Sequence, residues 1–197
     1  MERTDLGRIV AFTDGVMAVA ITLLVLNLEV PRVPAADLDE ALWDLNGSLI
    51  AYLLAFALVG RHWIVHHRFF ETLRAFDARL MTLNLAFLAL IVLVPFATEL
   101  FDRYTAEPAA AAVFGAIMGL ASLVNWTMVV HTLRRGYVHE AHRAGTEPFG
   151  SPLGLGFTIM YLLSVPVAYL STSAAALMWT ATILLHVPLG RSQPKGS

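Results

Sequence analysis

The stretch Arg8-Ile9-Val10-Ala11-Phe12-Thr13-Asp14-Gly15-Val16-Met17-Ala18-Val19-Ala20-Ile21-Thr22-Leu23-Leu24-Val25-Leu26 decides the fold. From Ile9 to Leu28 there are 20 residues and one charge, Asp14. A helix needs about 20 apolar residues to cross a bilayer core about 30 Å thick. The segment is too long for the apolar part of a signal peptide, and no small-residue cleavage site follows it, so it reads as a retained first transmembrane helix. A charge inside such a span costs about 2.5–3.5 kcal/mol near the centre, so Asp14 needs a partner or water. At about 100° per residue, Arg8, Phe12, Gly15, Val19, Leu23, Leu26 and Val30 share one face, with Thr22 at its edge. Asp14 points nearly the opposite way, toward a structural partner among the Arg, His or Asn side chains of the protein interior. Small residues at Ala11, Gly15, Ala18 and Thr22 permit close approach of another helix.

The rest of the chain repeats the pattern. It has 197 residues, 57% hydrophobic and 14% charged, with a mean hydropathy of +0.67. Soluble domains carry about 25% charged residues; too little polar surface remains here to cover a water-soluble globule. Uncharged runs extend over Leu45–Gly60 (16 residues, long enough if Arg61 snorkels toward the headgroups), Leu80–Thr98 (19), Pro108–Leu133 (26) and Pro148–Gly190 (43, room for two helices). The break in the last run falls near Ser171-Thr172-Ser173, and Pro166 is expected to kink the fifth helix rather than end it. The sequence therefore predicts an all-α membrane protein with six transmembrane helices, at about 8–29, 45–66, 78–100, 108–134, 150–170 and 173–190. These form a single domain, 1–190, followed by a disordered polar tail, 191–197. The connections are an acidic Pro31–Asp44, an Arg- and His-rich Arg61–Arg79, a short turn Phe101–Pro108 and a basic Arg134–Pro148.

Orientation follows from lysines and arginines. With an even number of spans, Arg3, Arg8, Arg61, Arg68, Arg74, Arg79, Arg134, Arg135, Arg143, Arg191 and Lys195 share one side, against Arg32 and Arg103 on the other. Both termini are expected to be cytoplasmic. The outer side carries Glu29, Asp37, Asp39, Glu40, Asp44, Glu99, Asp102 and Glu107, a negative field that concentrates cations as well as solvating the loops.

Other side chains narrow the chemistry. The chain has no cysteine, which removes disulfides and thiolate metal sites. His62, His66 and His67 contain an i, i+4 pair, but no Glu follows the first His as in a zinc-protease motif; packing or proton sensing is expected there, and no metal or cofactor is assigned. His131, His139 and His142 are expected to be solvated or lipid-facing, near a basic loop. Trp43, Trp63, Trp126 and Trp179 are candidate interface anchors, and Asn84 and Asn125 interhelical hydrogen bonders. Neither a nucleophile elbow nor a triad is found, so an enzyme is not expected, and nothing points to nucleic acid.

Arg8-x-x-x-Phe12-Thr13-Asp14, followed by Gly-Val-x-Ala-x-Ala-Ile-Thr-Leu-Leu-Val-Leu, resembles the first-helix signature of the transmembrane protein 175 family, the endosomal and lysosomal potassium channels, in its prokaryotic branch. The family pattern is R-x-x-x-F-S-D; Thr13 keeps the hydroxyl of the usual Ser. Trp63 with His66-His67-x-Phe69-Phe70 is similar to the family's end of the second helix. The resemblance implies a homotetramer in a prokaryotic cell membrane, with four copies of the first helix around a central pore for potassium and other monovalent cations. It implies no T-V-G-Y-G carbonyl filter, and none occurs here. It assigns the narrowest point to an apolar ring five residues after the signature Asp, here Val19, where Ile or Leu is usual. Thr22, Leu23 and Leu26 match further lining positions, and Arg8, Phe12, Thr13 and Asp14 match the network that holds the helices together, with Trp63, His66 and His67 behind it. Glu29, near the outer end, is a candidate for an anionic mouth. The reading that competes with a potassium-permeable channel is a proton-coupled secondary transporter using Asp14 and an interior His as relay.

Overall fold

The computed structural model describes residues 3–150 and 152–184. Helix α1 covers Arg3–Leu23 and runs into a 3-10 turn, Leu24–Asn27. A short α2, Leu38–Asp44, precedes α3, Asn46–Glu71. Then come α4 (Ala78–Val92), α5 (Val94–Arg103), α6 (Pro108–Arg135), α7 (Glu140–Gly150), α8 (Pro152–Ala168) and α9 (Thr172–Leu184). Among the described residues, four helical stretches are long and apolar enough to cross a membrane: Leu6–Asn27, Asn46–Glu71, Ala78–Arg103 and Pro108–Arg135. Gly154–Ala168 and Thr172–Leu184 are apolar but shorter. Residues 185–190 of the expected sixth helix and the expected tail 191–197 lie outside the described residues.

Several boundaries differ from the sequence reading, each for a local reason. The second long helix does not stop near residue 66. His62, His66, Phe69 and Phe70 are buried at helical spacing, so their packing carries α3 on to Glu71. Arg61, expected to snorkel toward the headgroups, sits ten residues inside the helix, with its guanidinium carbon 4.3 Å from the centroid of the Phe157 ring. The third span is broken at Leu93 into α4 and α5. Pro95, in the first turn of α5, has no N–H to continue the ladder, and its own carbonyl accepts from Asn27 Nδ2 at 3.1 Å. Pro166 lies inside α8, which ends two residues later at Ala168. The basic connection 134–148 holds a helix, α7, laced by Arg143 to Glu147 at 3.1 Å.

α6 is the centre of the bundle, packed against α4, α5, α7, α8 and α9. Gly115 and Gly119, one turn apart, let α8 approach closely: a Cβ on Gly119 would meet the Leu162 side chain at 2.6 Å, and one on Gly115 would collide with the Ser164 hydroxyl. This is the small-residue spacing that serves helix pairs in membranes. Trp179, a candidate interface anchor, is instead fully buried. Its indole N–H donates to Ser164 Oγ at 2.8 Å, and its ring meets Phe114 and Phe101. A polar acceptor inside the bundle removes its reason to sit at the interface.

At the arginine-rich end, the α3–α4 and α6–α7 connections are tied together. Arg74 N donates to Tyr137 O at 2.8 Å and His139 N to Thr72 O at 2.9 Å, an isolated antiparallel bridge centred on Leu73 and Val138. Arg74 Nε and Nη2 both donate to Gly136 O, at 3.0 and 2.8 Å. Gly136 caps α6 with φ of 67°, a left-handed conformation that costs other residues about 1–2 kcal/mol. His131, expected to be solvated or lipid-facing, is 8% exposed and lies 2.9 Å from Asp77.

Candidate functional site

α1 divides into two faces. Thr13, Met17, Ala20 and Leu24 are buried against the rest of the chain, where α3 and α4 pack on α1. Phe12, Val19, Leu23 and Leu26 are 55, 57, 39 and 71% exposed, and Thr22 is exposed beside them. Ala11, Gly15 and Ala18 lie exposed as well, and a Cβ on Gly15 would meet nothing within 4 Å. The chain thus leaves open a stripe of apolar side chains flanked by small residues. The Thr22 hydroxyl donates to Val19 O at 2.8 Å, so its oxygen lone pairs stay available on the exposed side.

Asp14 lies at the border between the faces and turns toward α3. Trp63 Nε1 donates to Asp14 Oδ1 at 2.8 Å. His67 Nδ1 lies 3.4 Å from Asp14 Oδ2, without an aligned hydrogen bond. On its other side His67 Nε2 is 3.5 Å from Glu71, and its ring tilts against that of Trp63 at 5.5 Å between centroids.

From the neighbouring, buried residues a second polar chain crosses three helices. His66 Nε2 donates to Asn84 Oδ1 at 2.9 Å, and Asn84 Nδ2 donates to Thr13 Oγ1 at 2.8 Å. All three side chains are buried. The His66 ring is sandwiched between Phe70 and Phe87, with centroids at 4.4 and 4.8 Å and planes 19° and 9° apart. The aromatic run at the end of α3 therefore holds the imidazole at the angle that aims it at Asn84. His62 does not join it; its Nδ1 turns to Leu58 O at 2.9 Å.

Of the residues singled out from the sequence, the structure brings together Thr13, Asp14, Trp63, His66 and His67. Arg8 and Phe12 lie on exposed positions of α1, away from that cluster. Glu29 is 78% exposed and 3.1 Å from Arg103, which also reaches Glu99 at 2.8 Å. One of the two arginines expected on that side thus offsets part of its acidic field. Sequence reading missed the Asp77 cluster. Its carboxylate accepts from Leu80 N at 2.8 Å and from Tyr137 Oη at 3.3 Å, besides facing His131. Burial alone raises this carboxyl pKa, but the bonds from Leu80, His131 and Tyr137 outweigh it and hold the pKa below its ordinary value. An Asp one residue ahead of a predicted helix was the available signal, since that is a capping position.

This arrangement is a multi-pass helical membrane protein with a polar network behind an open apolar helix face. Residues 8–95 match the family model described as endosomal/lysosomal potassium channel TMEM175. A potassium channel of Streptomyces collinus is 36% identical over 142 residues, 68% of either chain. One of Chamaesiphon minutus is 37% identical over 131 residues, 63% of this chain and 64% of that one. The crystal structure of a lysosomal potassium-selective channel TMEM175 homolog from Chamaesiphon minutus superposes with a TM-score of 0.82 at 28% identity, covering 92% of this chain and 96% of the other. The chain belongs to the TMEM175 family of ion channels.

Proposed function

We propose that the chain is one of four identical subunits of a potassium-permeable cation channel, with α1 of each subunit around the axis. In this reading six helices cross the cell membrane of a prokaryote, α8 and α9 supplying the fifth and sixth, and both termini are cytoplasmic. Val19 forms the narrowest ring, Thr22, Leu23 and Leu26 line the conduit beyond it, and Glu29 stands at the outer mouth. Thr13, Asp14, Trp63, His66 and His67 hold α1 at a fixed rotation, and Arg8 and Phe12 take part between subunits.

The single observation that carries the reading is the split of α1: the one charged side chain of its apolar span is engaged within the protomer, and its apolar stripe with adjoining small residues is left uncovered. A lipid-facing helix has no use for a row of Ala11, Gly15 and Ala18, whereas helices converging on an axis need it. An apolar ring blocks ions by excluding water until it widens. The Thr22 oxygens, one per subunit, then replace part of a cation's hydration shell. The names of the bacterial relatives support potassium as the ion.

The test is flux from vesicles holding the purified protein. Potassium efflux down its gradient, exceeding sodium efflux and needing no coupled ion, supports the channel. A second reading, proton-coupled transport with Asp14 and an interior His as relay, is favoured by one observation, the run from Asp14 through His67 to Glu71. It requires potassium movement that stops when the proton gradient is clamped. Gradient-driven flux that persists under the clamp excludes it.

A further inference from the structure

The far end of α1 is fastened to α5. Beyond the 3-10 turn Leu24–Asn27 the chain runs on through Glu29, and two contacts join this segment to α5. Asn27 Nδ2 donates to Pro95 O at 3.1 Å. Arg103 Nη2 reaches Glu29 Oε1 at 3.1 Å and Glu99 Oε1 at 2.8 Å. Pro95, Glu99 and Arg103 follow one another at helical i, i+4 spacing, so one side of α5 holds every partner. Arg103 is steadied from its own helix. Glu99 precedes it by one turn, the favourable order for such a pair, and the last turn of a helix attracts a cation. The guanidinium thus rests on α5 and extends to the exit of α1.

Arg103 is 58% and Glu29 78% exposed, and ion pairs so open to water add little to stability. Their consequence is a field. The cluster carries two carboxylates against one guanidinium. Arg32, the other cation expected at this end, stands within ion-pair distance of no carboxylate among the described residues. We propose that Arg103 is a specificity-determining residue of the channel. By pairing with Glu29 it keeps the outer mouth weakly negative, enough to draw monovalent cations without gathering divalent ones. The inference rests on the reading in which α1 lines the conduit and Glu29 stands at its mouth. Without Arg103 the net charge of the cluster doubles, from one negative to two. A potential that concentrates a monovalent cation by some factor concentrates a divalent one by the square of that factor.

The test records unitary potassium currents through the purified full-length protein in planar bilayers at about 0.01 M salt, where a Debye length of about 30 Å lets the fields of the subunits overlap. Arg103→Gln is expected to raise the unitary conductance about threefold and to tighten block by calcium about ninefold. Arg103→Lys, which keeps the charge, should leave both near the unmodified values. Glu29→Gln added to Arg103→Gln returns the cluster to one net negative charge and should restore them. At about 1 M salt, where the Debye length is about 3 Å, the differences should vanish; a merely structural effect would persist. Unchanged conductance and calcium block in Arg103→Gln overturn the proposal and leave the channel standing. Differences that persist at high salt overturn it as well, because they belong to an altered structure. An unmodified protein that passes no potassium overturns the channel reading itself, and this inference with it.

Discussion

The indole N–H of Trp63 reaches the carboxylate of Asp14 at 2.8 Å across 49 residues of sequence, and so joins α3 to the one charged position inside the first apolar span. Each side chain supplies what the other needs: a carboxylate in an apolar span needs a donor, and an indole N–H needs an acceptor. Trp63→Phe keeps the ring and deletes the donor. It is expected to cost about 1–2 kcal/mol, read as a lower melting temperature of the purified protein in detergent. Asp14→Asn, which still offers a carbonyl oxygen to the indole, is expected to cost less. Melting of Trp63→Phe at the unmodified temperature would sink this account of Asp14.

Asn84 is the middle of a three-helix relay, donating to Thr13 and accepting from His66. Asn84→Leu removes both bonds at once and strands two buried polar groups. Asn84→Asp keeps an acceptor for His66 but turns an acceptor toward Thr13, whose hydroxyl must then rotate to donate. The expected order of thermal stability is unmodified, then Asp, then Leu, with the Leu variant about 1–3 kcal/mol down. A Leu variant as stable as the unmodified protein would mean that the relay contributes only packing.

The tie between the α3–α4 and α6–α7 connections depends on charge. Because the folded carboxyl of Asp77 binds its proton less readily than an ordinary one at 3.8, the stability it contributes is full above that value. It drains away as the pH falls through 3.8 and below it. Amide hydrogen exchange at Arg74 and His139, whose N–H groups close the bridge, is therefore expected to gain protection between pH 3 and 5 beyond the intrinsic pH trend. Asp77→Asn should flatten that gain, and Gly136→Ala, forced into a left-handed backbone, should lower protection at every pH by about 1–2 kcal/mol. A pH response unchanged in Asp77→Asn assigns it to another group.

What the sequence made legible was whatever repeats with the helix period. The 100° turn separates Val19, Leu23 and Leu26 from Asp14 on paper, and the same residues divide between exposed and engaged positions on α1. Boundaries set by charge alone went astray where packing overrode it. The uncharged run stopped at Gly60 and the second helix was expected to end near residue 66, yet the buried His62, His66, Phe69 and Phe70 carry α3 to Glu71. Pairings between distant residues left no periodic trace. His131 and Asp77 are 54 residues apart, and a neutral-looking histidine beside a basic loop gives no hint of a carboxylate facing it. Gly115 and Gly119, a small-residue pair one turn apart in an apolar run, were not singled out from the sequence; only their contact with α8 gives the spacing its meaning.

Val19 offers the sharpest prediction about conduction. Its side chain is 57% exposed on α1 and lies beside Thr22, whose hydroxyl bonds back to the Val19 carbonyl. If four copies of this valine close a dry constriction, the barrier is the loss of water around the ion, and changing polarity matters more than changing size. Val19→Asn, about the same size but able to hold water, is expected to raise potassium leak from vesicles by about tenfold or more and to blunt discrimination against sodium, since about 1.4 kcal/mol off a barrier is a factor of ten. Val19→Phe, larger and still apolar, is expected to reduce flux. Leu53→Asn, at an exposed position of α3, serves as the control for a polar residue introduced elsewhere and should leave flux unchanged. Equal flux through the Val19→Asn variant and the unmodified channel would move the constriction away from Val19, while the fold and the polar network behind α1 would stand unaltered.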